Sequence, residues 1–445
     1  MASPLLAHAT VRSTTFWLYP KILFVTLSSI VAAAAFATEA PLTLGRAQQQ
    51  AVARSRQLSA QDQAVSASRE MAVAAGQLPD PILKFGVDSL PVTGADKFSL
   101  TNDFMTMRRV GVMQEVTRGD KRRARTERYE RAADKTLAAK IVTIANTQRD
   151  TALAWLDRYY AEQMFVLIAQ ETVQARREIE AAESAYRGGR GSQADILGAR
   201  SALAMVEDRG SDIQRRVQNA KAMLTRWVGT DATLPLAGIP SIDKIRIDPA
   251  TLDAQLGHHP EIAVLTAQEA IAQADANLAN ANRKSDWSVE VAYQLRGPAF
   301  SNMISVGVSL PLQWDQKNRQ DRELSSKLAL VEEAKAERDE ILRDHIAATR
   351  AQIQEWESNR ERHARYQREL LPLARDRSQA SLAAYRGGKA TLAEVLLARR
   401  NELDVGLQAV QLDWDTARLW AQLNFLFPDD DMAASPTMNM TTDAK

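Results

Sequence analysis

Two kinds of hydrophobic pattern occur in this chain, and each occurs in both halves. Apolar residues recur at three- and four-residue steps over about 121–185 and about 317–384, which predicts long amphipathic helices. Apolar and polar residues alternate one by one within about 81–116 and about 287–312, which predicts two β-hairpins. At about 1.5 Å per residue, the first long helix would extend on the order of 100 Å. A compact globular domain has no room for such a helix.

A short turn motif interrupts the helical pattern in each half. Tyr186-Arg187-Gly188-Gly189 returns as Tyr385-Arg386-Gly387-Gly388, at an offset of 199 residues (385 − 186). A glycine pair between helical stretches predicts a tight turn, because glycine accepts the positive φ that ends a helix. Ser192 and Thr391 follow at the position that caps the next helix. We call residues 186–195 the first tip and residues 385–394 the second tip.

The order of helix, strand, strand, long helix, tip and helix occurs twice, which predicts two internal structural repeats. A linker rich in Gly, Pro and Asp, from Gly229 to Pro240, separates them. The predicted domains are a signal peptide in 1–37, a first repeat in 38–240, a second repeat in 241–428 and a disordered polar tail in 429–445.

Local features refine the expected elements. One helix is expected from about Leu44 to Gly76, and another should begin at His259-Pro260. Pro372 lies within the second long helix and should kink it, since proline removes a hydrogen bond and clashes with the preceding turn. Arg108 and Arg109 disturb the alternation of the second strand.

The N-terminus resembles an export signal. Arg12 and Lys21 precede an apolar run, and Ala35-Phe36-Ala37 fits the small-x-small cleavage pattern. A transmembrane anchor is the alternative, but the run from Ile22 to Ala34 is short against the roughly 20 residues a spanning helix needs.

The four expected strands pose a problem of closure. Strands of about ten residues cross a bilayer when tilted, and clean alternation gives one apolar and one polar face. Four strands cannot close a barrel, and an open edge in lipid leaves backbone groups unsatisfied at several kcal/mol each. Three copies would contribute twelve strands. The alternative is a soluble helical protein with two β-hairpins packed on it.

Composition narrows the functional class. The chain has 445 residues, a net charge of +1 and no cysteine. Near-zero charge without a basic, aromatic-rich patch gives no reason to expect nucleic acid. The absence of cysteine excludes disulfides and cysteine metal sites. No phosphate-binding loop or His-Glu-x-x-His pattern is present, so neither an enzyme nor a cofactor is expected.

The chain resembles the TolC-type outer-membrane efflux proteins over about Leu42 to Phe427. The resemblance rests on the doubled order of elements, the Tyr-x-x-Gly tips, and strand ends that lead into helix starts containing Lys121 and Lys317. Ala75-Gly76-Gln77-Leu78-Pro79-Asp80-Pro81 and Asp103-Phe104-Met105-Thr106-Met107 resemble the heavy-metal branch, which serves Czc- and Cus-type pumps. Many relatives carry a lipidated N-terminal cysteine, and this chain cannot.

This resemblance implies a mainly α-helical protein with a transmembrane β-barrel. It implies a homotrimeric channel-tunnel in which four strands per chain form a twelve-stranded barrel in outer-membrane lipid, above a coiled-coil-like helical tunnel in the periplasm. The implied function is the outer-membrane channel of a tripartite efflux pump that exports heavy-metal cations. The implied partners are a periplasmic adaptor and an inner-membrane RND-type pump.

The tips carry the candidate functional residues. The resemblance implies a gate at the closed end and adaptor contacts beside it. The two acidic tip residues, Asp195 and Glu394, also have a simpler interpretation, as first-turn residues that satisfy the helix N-terminus. The candidate gate residues are Asp195, Glu394, Tyr186, Arg187, Tyr385 and Arg386, and the candidate adaptor contacts are Gly188, Gly189, Arg190, Gly387, Gly388 and Lys389.

No metal site is expected. His258-His259 adjoins a helix start and is interpreted as a solvated turn rather than a metal ligand. Met438 and Met440 in the tail are a weak candidate for a soft cation. Two other functional classes remain to be distinguished. One is a periplasmic adaptor or coiled-coil scaffold, and the other is a metal-dependent periplasmic enzyme, which has no supporting residues.

Overall fold

The computed structural model describes residues 40–429. The predicted signal peptide, residues 430–445 of the predicted tail, and the Met438 and Met440 pair lie outside the described residues. The described chain is mostly helical with a small antiparallel sheet, as the pattern predicts. No helix within it is both long enough and apolar enough to cross a membrane.

One helix, α3, is far longer than the other described helices. The bounds of the α-helices are α1 Leu44–Arg54, α2 Arg56–Ala75, α3 Gly119–Arg187, α4 Gln193–Val228, α5 Leu252–Leu256, α6 Pro260–Ala281, α7 Gln320–Arg365, α8 Leu371–Arg386 and α9 Leu392–Asn424. The 69 residues of α3 correspond to a helix on the order of 100 Å long.

Four strands form one antiparallel sheet in the order β1-β2-β3-β4. Their bounds are β1 Ile82–Asp88, β2 Met107–Val116, β3 Trp287–Leu295 and β4 Met303–Ser309. Each half of the chain supplies one hairpin, and the pairing of β2 with β3 joins the two hairpins.

One helical prediction needed correction, and the region of the predicted kink contains a local irregularity. The single helix expected from Leu44 to Gly76 is divided at Ser55, which adopts an extended conformation and accepts a hydrogen bond from the Leu58 amide at 3.4 Å. Serine competes for the backbone in this way, so it favours a cap over the helix interior. The irregularity expected at Pro372 is a π turn, Tyr366–Leu370, immediately before α8. The wider turn accommodates a residue that lacks an amide hydrogen.

The main hydrophobic core joins both halves of the chain. Trp155 on α3 is fully buried and donates from Nε1 to the Leu42 carbonyl at 3.0 Å. Leu42 in turn bonds backbone to backbone with Pro235 and Ala237, so the segment after α4 packs against the N-terminal segment. Other members come from α4, α5 and α9: Leu224, Leu256, Trp420 and Leu423.

Candidate functional site

The sheet has one strongly apolar face. Val112 lies opposite Val291, and Val291 lies opposite Val306, so one row of valines crosses three strands. Phe85 on β1 is 72% exposed and Val306 on β4 is 70% exposed. A contiguous apolar surface of this kind marks a site that contacts another protein or a membrane.

The opposite face of the same sheet is polar. Lys84 Nζ lies 2.7 Å from Glu290 Oε2, and Arg109 Nη1 lies 3.3 Å from Glu290 Oε1. Arg109 therefore points to the polar face and keeps the alternation. Arg108 lies on the apolar face near the start of β2 and donates to the Arg296 carbonyl at 3.2 Å. The sheet thus separates apolar from polar side chains by face.

Both outer strands of this sheet are edges within the described residues. β1 pairs only with β2, and β4 pairs only with β3. Each edge leaves a row of backbone amide and carbonyl groups without sheet partners, which is a template for pairing with another strand. The described sheet therefore combines an apolar face with two open edges.

The first tip is a tight turn between α3 and α4. Gly189 has φ of 71°, and the Arg190 amide donates to the Ala185 carbonyl at 2.9 Å, which closes the end of α3. Ser192 then caps α4 in a capping box with Asp195. The predicted cap is confirmed, and the Asp195 carboxylate accepts from the Ser192 amide at 2.8 Å.

The second tip repeats this geometry between α8 and α9. Gly388 has φ of 73°, and the Lys389 amide donates to the Ala384 carbonyl at 2.8 Å. Thr391 caps α9 in a capping box with Glu394, whose carboxylate accepts from the Thr391 amide at 2.8 Å. Both acids therefore satisfy helix N-termini, as their simpler interpretation predicts.

The two tips lie side by side. An apolar cluster joins Ala182 and Ala199 of the first tip's helices to Leu392 and Val395 of α9. Tyr385 packs against this cluster, whereas Tyr186 is 51% exposed.

Among the remaining tip residues, Arg187 contacts its own helix and most of the others are exposed to solvent. Arg187 donates to the Ser184 hydroxyl at 3.3 Å within its own helix. The glycines of the turns, including Gly188 and Gly387, are exposed, as are Arg190 and Lys389. Arg386 is exposed at the end of α8. The turns therefore present backbone and basic side chains on their outer surface.

A half-buried charge cluster lies behind the tips, and the sequence pattern did not reveal it. Arg399 Nε lies 3.4 Å from Glu178 Oε1, and Arg399 Nη1 lies 3.0 Å from Glu402 Oε2. Burial, reinforced by the negative charge of Glu178, raises the pKa of Glu171 to about 7. Glu171, Glu178 and Arg399 border a groove of about 290 Å³ between α3, α4 and α9. The seven-residue spacing of Glu171 and Glu178, which places both on one helix face, was the only available signal.

The interpretation of His258-His259 as a solvated turn is wrong for its second residue. His258 is exposed, but His259 is only 6% exposed and forms the N-cap of α6. Burial lowers the pKa of His259 to about 4. The predicted start of the helix at Pro260 is confirmed. The burial comes from residues distant in sequence, Phe427 among them, whose ring lies 5.7 Å from the imidazole.

Comparison with known proteins gives one family match. Residues 47–230 match the model of the outer membrane efflux protein family. No curated protein sequence matches the chain.

Several solved structures have the same fold over most of the chain. The outer-membrane channel OprN is 18% identical with a TM-score of 0.73, covering 87% of this chain and 90% of its own. The outer membrane protein VceC from Vibrio cholerae is 18% identical with a TM-score of 0.70, covering 86% and 95%. CusC, whose structures concern folding and transmembrane channel formation, is 15% identical with a TM-score of 0.71, covering 87% and 92%.

The segment 47–230 therefore carries the sequence pattern of the outer membrane efflux proteins, and the described chain has the fold of solved outer-membrane channels.

Proposed function

We propose that this protein is the outer-membrane channel of a tripartite efflux pump. The observation that carries the proposal is the four-stranded sheet, apolar on one face, polar on the other, and open at both edges. Lipid would cover the apolar face, and the polar face would line an aqueous lumen. The chain would form two structural repeats, each contributing one hairpin to the barrel and one helical hairpin to the periplasmic tunnel.

The open edges support a homotrimer. In lipid, each unpaired backbone group costs several kcal/mol, so a membrane sheet closes on itself. Four strands are too few to close, whereas three copies supply twelve, an even number within the range of known barrels. β4 of one copy would pair with β1 of the next.

The tips would form the periplasmic end of the channel. In a trimer, Asp195 and Glu394 would each occur three times around one axis. Carboxylates confined near a narrow opening raise the local cation concentration and repel anions. The exposed turns, with Gly188, Gly189, Arg190, Gly387, Gly388 and Lys389, would contact an adaptor protein.

The proposed cargo is a heavy-metal cation delivered by an inner-membrane RND-type pump. This assignment rests on the short segments 75–81 and 103–107, because the TM-score to CusC, 0.71, lies between those to OprN, 0.73, and VceC, 0.70. The alternative of a periplasmic adaptor is not favoured, because the fold matches outer-membrane channels over almost nine-tenths of the chain.

Neighbouring positions on β4 provide the test. Ser305 lies on the polar face and Val306 on the apolar face of the same strand. The chain has no cysteine, so Ser305→Cys and Val306→Cys each introduce a single reactive thiol. In isolated outer membranes, a water-soluble maleimide should label Ser305→Cys and spare Val306→Cys until detergent is added. Equal labelling of both, or recovery of the protein outside the outer membrane, would contradict the proposal.

A further inference from the structure

Two histidines and a glutamate, carried by α6 and its N-cap and by α7, lie close together beside the main core, and one of them, His259, is buried. His259 forms the N-cap of α6, and its Nδ1 accepts from the Glu261 amide at 3.3 Å. Phe427 covers the imidazole from the C-terminal end of the described chain. The capping bond is long, so it holds the ring only weakly.

The second histidine comes from another helix. His345 lies on α7 between Leu342 and Ile346, both of which pack on the main core. Its Nε2 lies 2.8 Å from Glu261 Oε2, and its ring centroid lies 4.8 Å from that of His259. One ligand atom from each of His259, Glu261 and His345 can be chosen so that all three lie within 4.8 Å of one another.

We propose that His259, Glu261 and His345 form a binding site for a divalent transition-metal ion of the zinc class. Two imidazole nitrogens and one carboxylate oxygen form a set that zinc accepts, with a fourth position left for water. The ion would be resident and would tie α6 to α7. This inference goes beyond the proposed channel function and does not depend on it.

The geometry is close to that of a tetrahedral site. Ligand bonds of about 2.0–2.1 Å place neighbouring ligand atoms roughly 3.3 Å apart. The His345–Glu261 pair already lies within that separation. All three ligand atoms lie within 4.8 Å of one another, so any wider pair must close by at most about 1.5 Å when an ion binds. Phe427 packs against the His259 ring with ring centroids 5.7 Å apart, and Leu342 and Ile346, on either side of His345 along α7, pack on the main core.

The electrostatics identify Glu261 as the decisive ligand. The positive end of α6 and the nearby Arg149 both oppose a bound cation. The Asp150 carboxylate partly offsets the positive charge of Arg149, because Asp150 Oδ1 lies 3.0 Å from Arg149 Nε. Glu261 is the only one of the three ligands that brings negative charge, so its loss should weaken metal binding most.

A simpler role would use the same contacts without metal. His259 would only cap α6, and the Glu261–His345 hydrogen bond would only link two helices. A metal site and this capping arrangement differ in one measurable property, because the capping arrangement has no reason to bind zinc with defined stoichiometry.

The test uses the full, tag-free chain in detergent, stripped with a chelator and titrated with Zn²⁺ by calorimetry. The wild type should bind one ion per chain. Glu261→Gln and His345→Gln should each weaken binding at least tenfold. His258→Gln is the matched control, because its exposed imidazole adjoins the site, and His363→Gln controls for the separate His363–Asp413 contact. Neither control should change the affinity.

Two further readouts make the outcome decisive. Co²⁺ should give the visible absorption of four-coordinate cobalt in the wild type and not in Glu261→Gln. Zn²⁺ should raise the melting temperature of the wild type and not of that variant, since a ligand stabilises the state it binds. Glu261 is half-exposed, so Glu261→Gln should fold, which circular dichroism checks. If the wild type binds no stoichiometric zinc, or if Glu261→Gln and His345→Gln bind as it does, the cluster is only a cap and a helix link.

Discussion

The two tips have nearly the same backbone and different surroundings. Each ends its first helix at a glycine with positive φ and begins the next with a capping box. Arg200 and Arg399 occupy equivalent positions after these boxes. Arg200 forms an exposed ion pair with Glu183 of its own hairpin, whereas Arg399 reaches Glu178 on α3 with both side chains mostly buried.

The repeated sequence determines the geometry of the two turns, whereas tertiary packing determines which partners their side chains contact. Turn geometry depends on residues within a few positions, so equal motifs give equal turns. The role of an arginine depends on which helix packs beside it. In this chain, α9 packs against both α8 and α3, so Arg399 links the two hairpins and Arg200 does not.

The largest expected effect follows from Arg399. Arg399→Ala leaves Glu178 and Glu402 half-buried without their counter-charge, which should cost about 2–3 kcal/mol of stability. Arg200→Ala removes an exposed pair and should cost under about 0.5 kcal/mol. Denaturant unfolding followed by circular dichroism measures both. Equal losses would show that the tips are equivalent in packing as well as in backbone.

The shared backbone can be tested at the positive-φ glycines. Gly189→Ala and Gly388→Ala should each cost about 1–2 kcal/mol, because a Cβ disfavours the left-handed conformation. The control is Gly387→Ala, where φ is −80° and an added Cβ makes ordinary contacts, so stability should change by less than about 0.5 kcal/mol. A much smaller loss at one tip would contradict the equivalence of the turns.

A pH dependence should distinguish the packed region behind the tips. The pKa of Glu171 is raised from 4.5 to about 7 in the folded chain, so the folded state favours the protonated acid. This contribution is fully present below pH 4.5 and is lost as pH rises through 7.

Glu171→Gln should therefore stabilise the protein at pH 8, by on the order of 1 kcal/mol after allowance for solvent screening, and should have little effect at pH 4.5. Melting temperatures at the two pH values measure the difference. Glu180→Gln, at an exposed position on the same helix, controls for the loss of one carboxylate. A gain that is equal at both pH values would contradict the assigned cause.

The tip acids should have only a small effect on stability at each helix end. Asp195→Asn with Glu394→Gln should cost roughly 0.3–1 kcal/mol per helix end. If the acids also form a ring, the double variant in planar bilayers should lose cation preference and block by multivalent cations. Ser192→Ala with Thr391→Ala removes the caps and leaves the acids, so it should weaken the helix ends and keep the selectivity. Wild-type selectivity in the acid variant would leave capping as their only role.

Local patterns in the sequence predicted the local structure. The alternation around Val291 predicted β3, and the Gly-Gly motifs with Ser192 and Thr391 predicted both turns and their caps. Each of these signals lies within a few residues of the feature it produces.

Features that depend on distant partners were not predictable in the same way. His259 is buried by α7 and by Phe427, and Arg399 acquires its partner from α3. The break at Ser55 was missed because its neighbours favour helix and a single side-chain hydrogen bond decides the local conformation.

In the proposed channel, other copies of the chain complete the sheet. Native mass spectrometry of protein extracted from the outer membrane counts the chains in each detergent particle. We expect three chains per particle, since three copies of four strands close a barrel of twelve. A stable particle containing a single chain, with its sheet still folded, would contradict it.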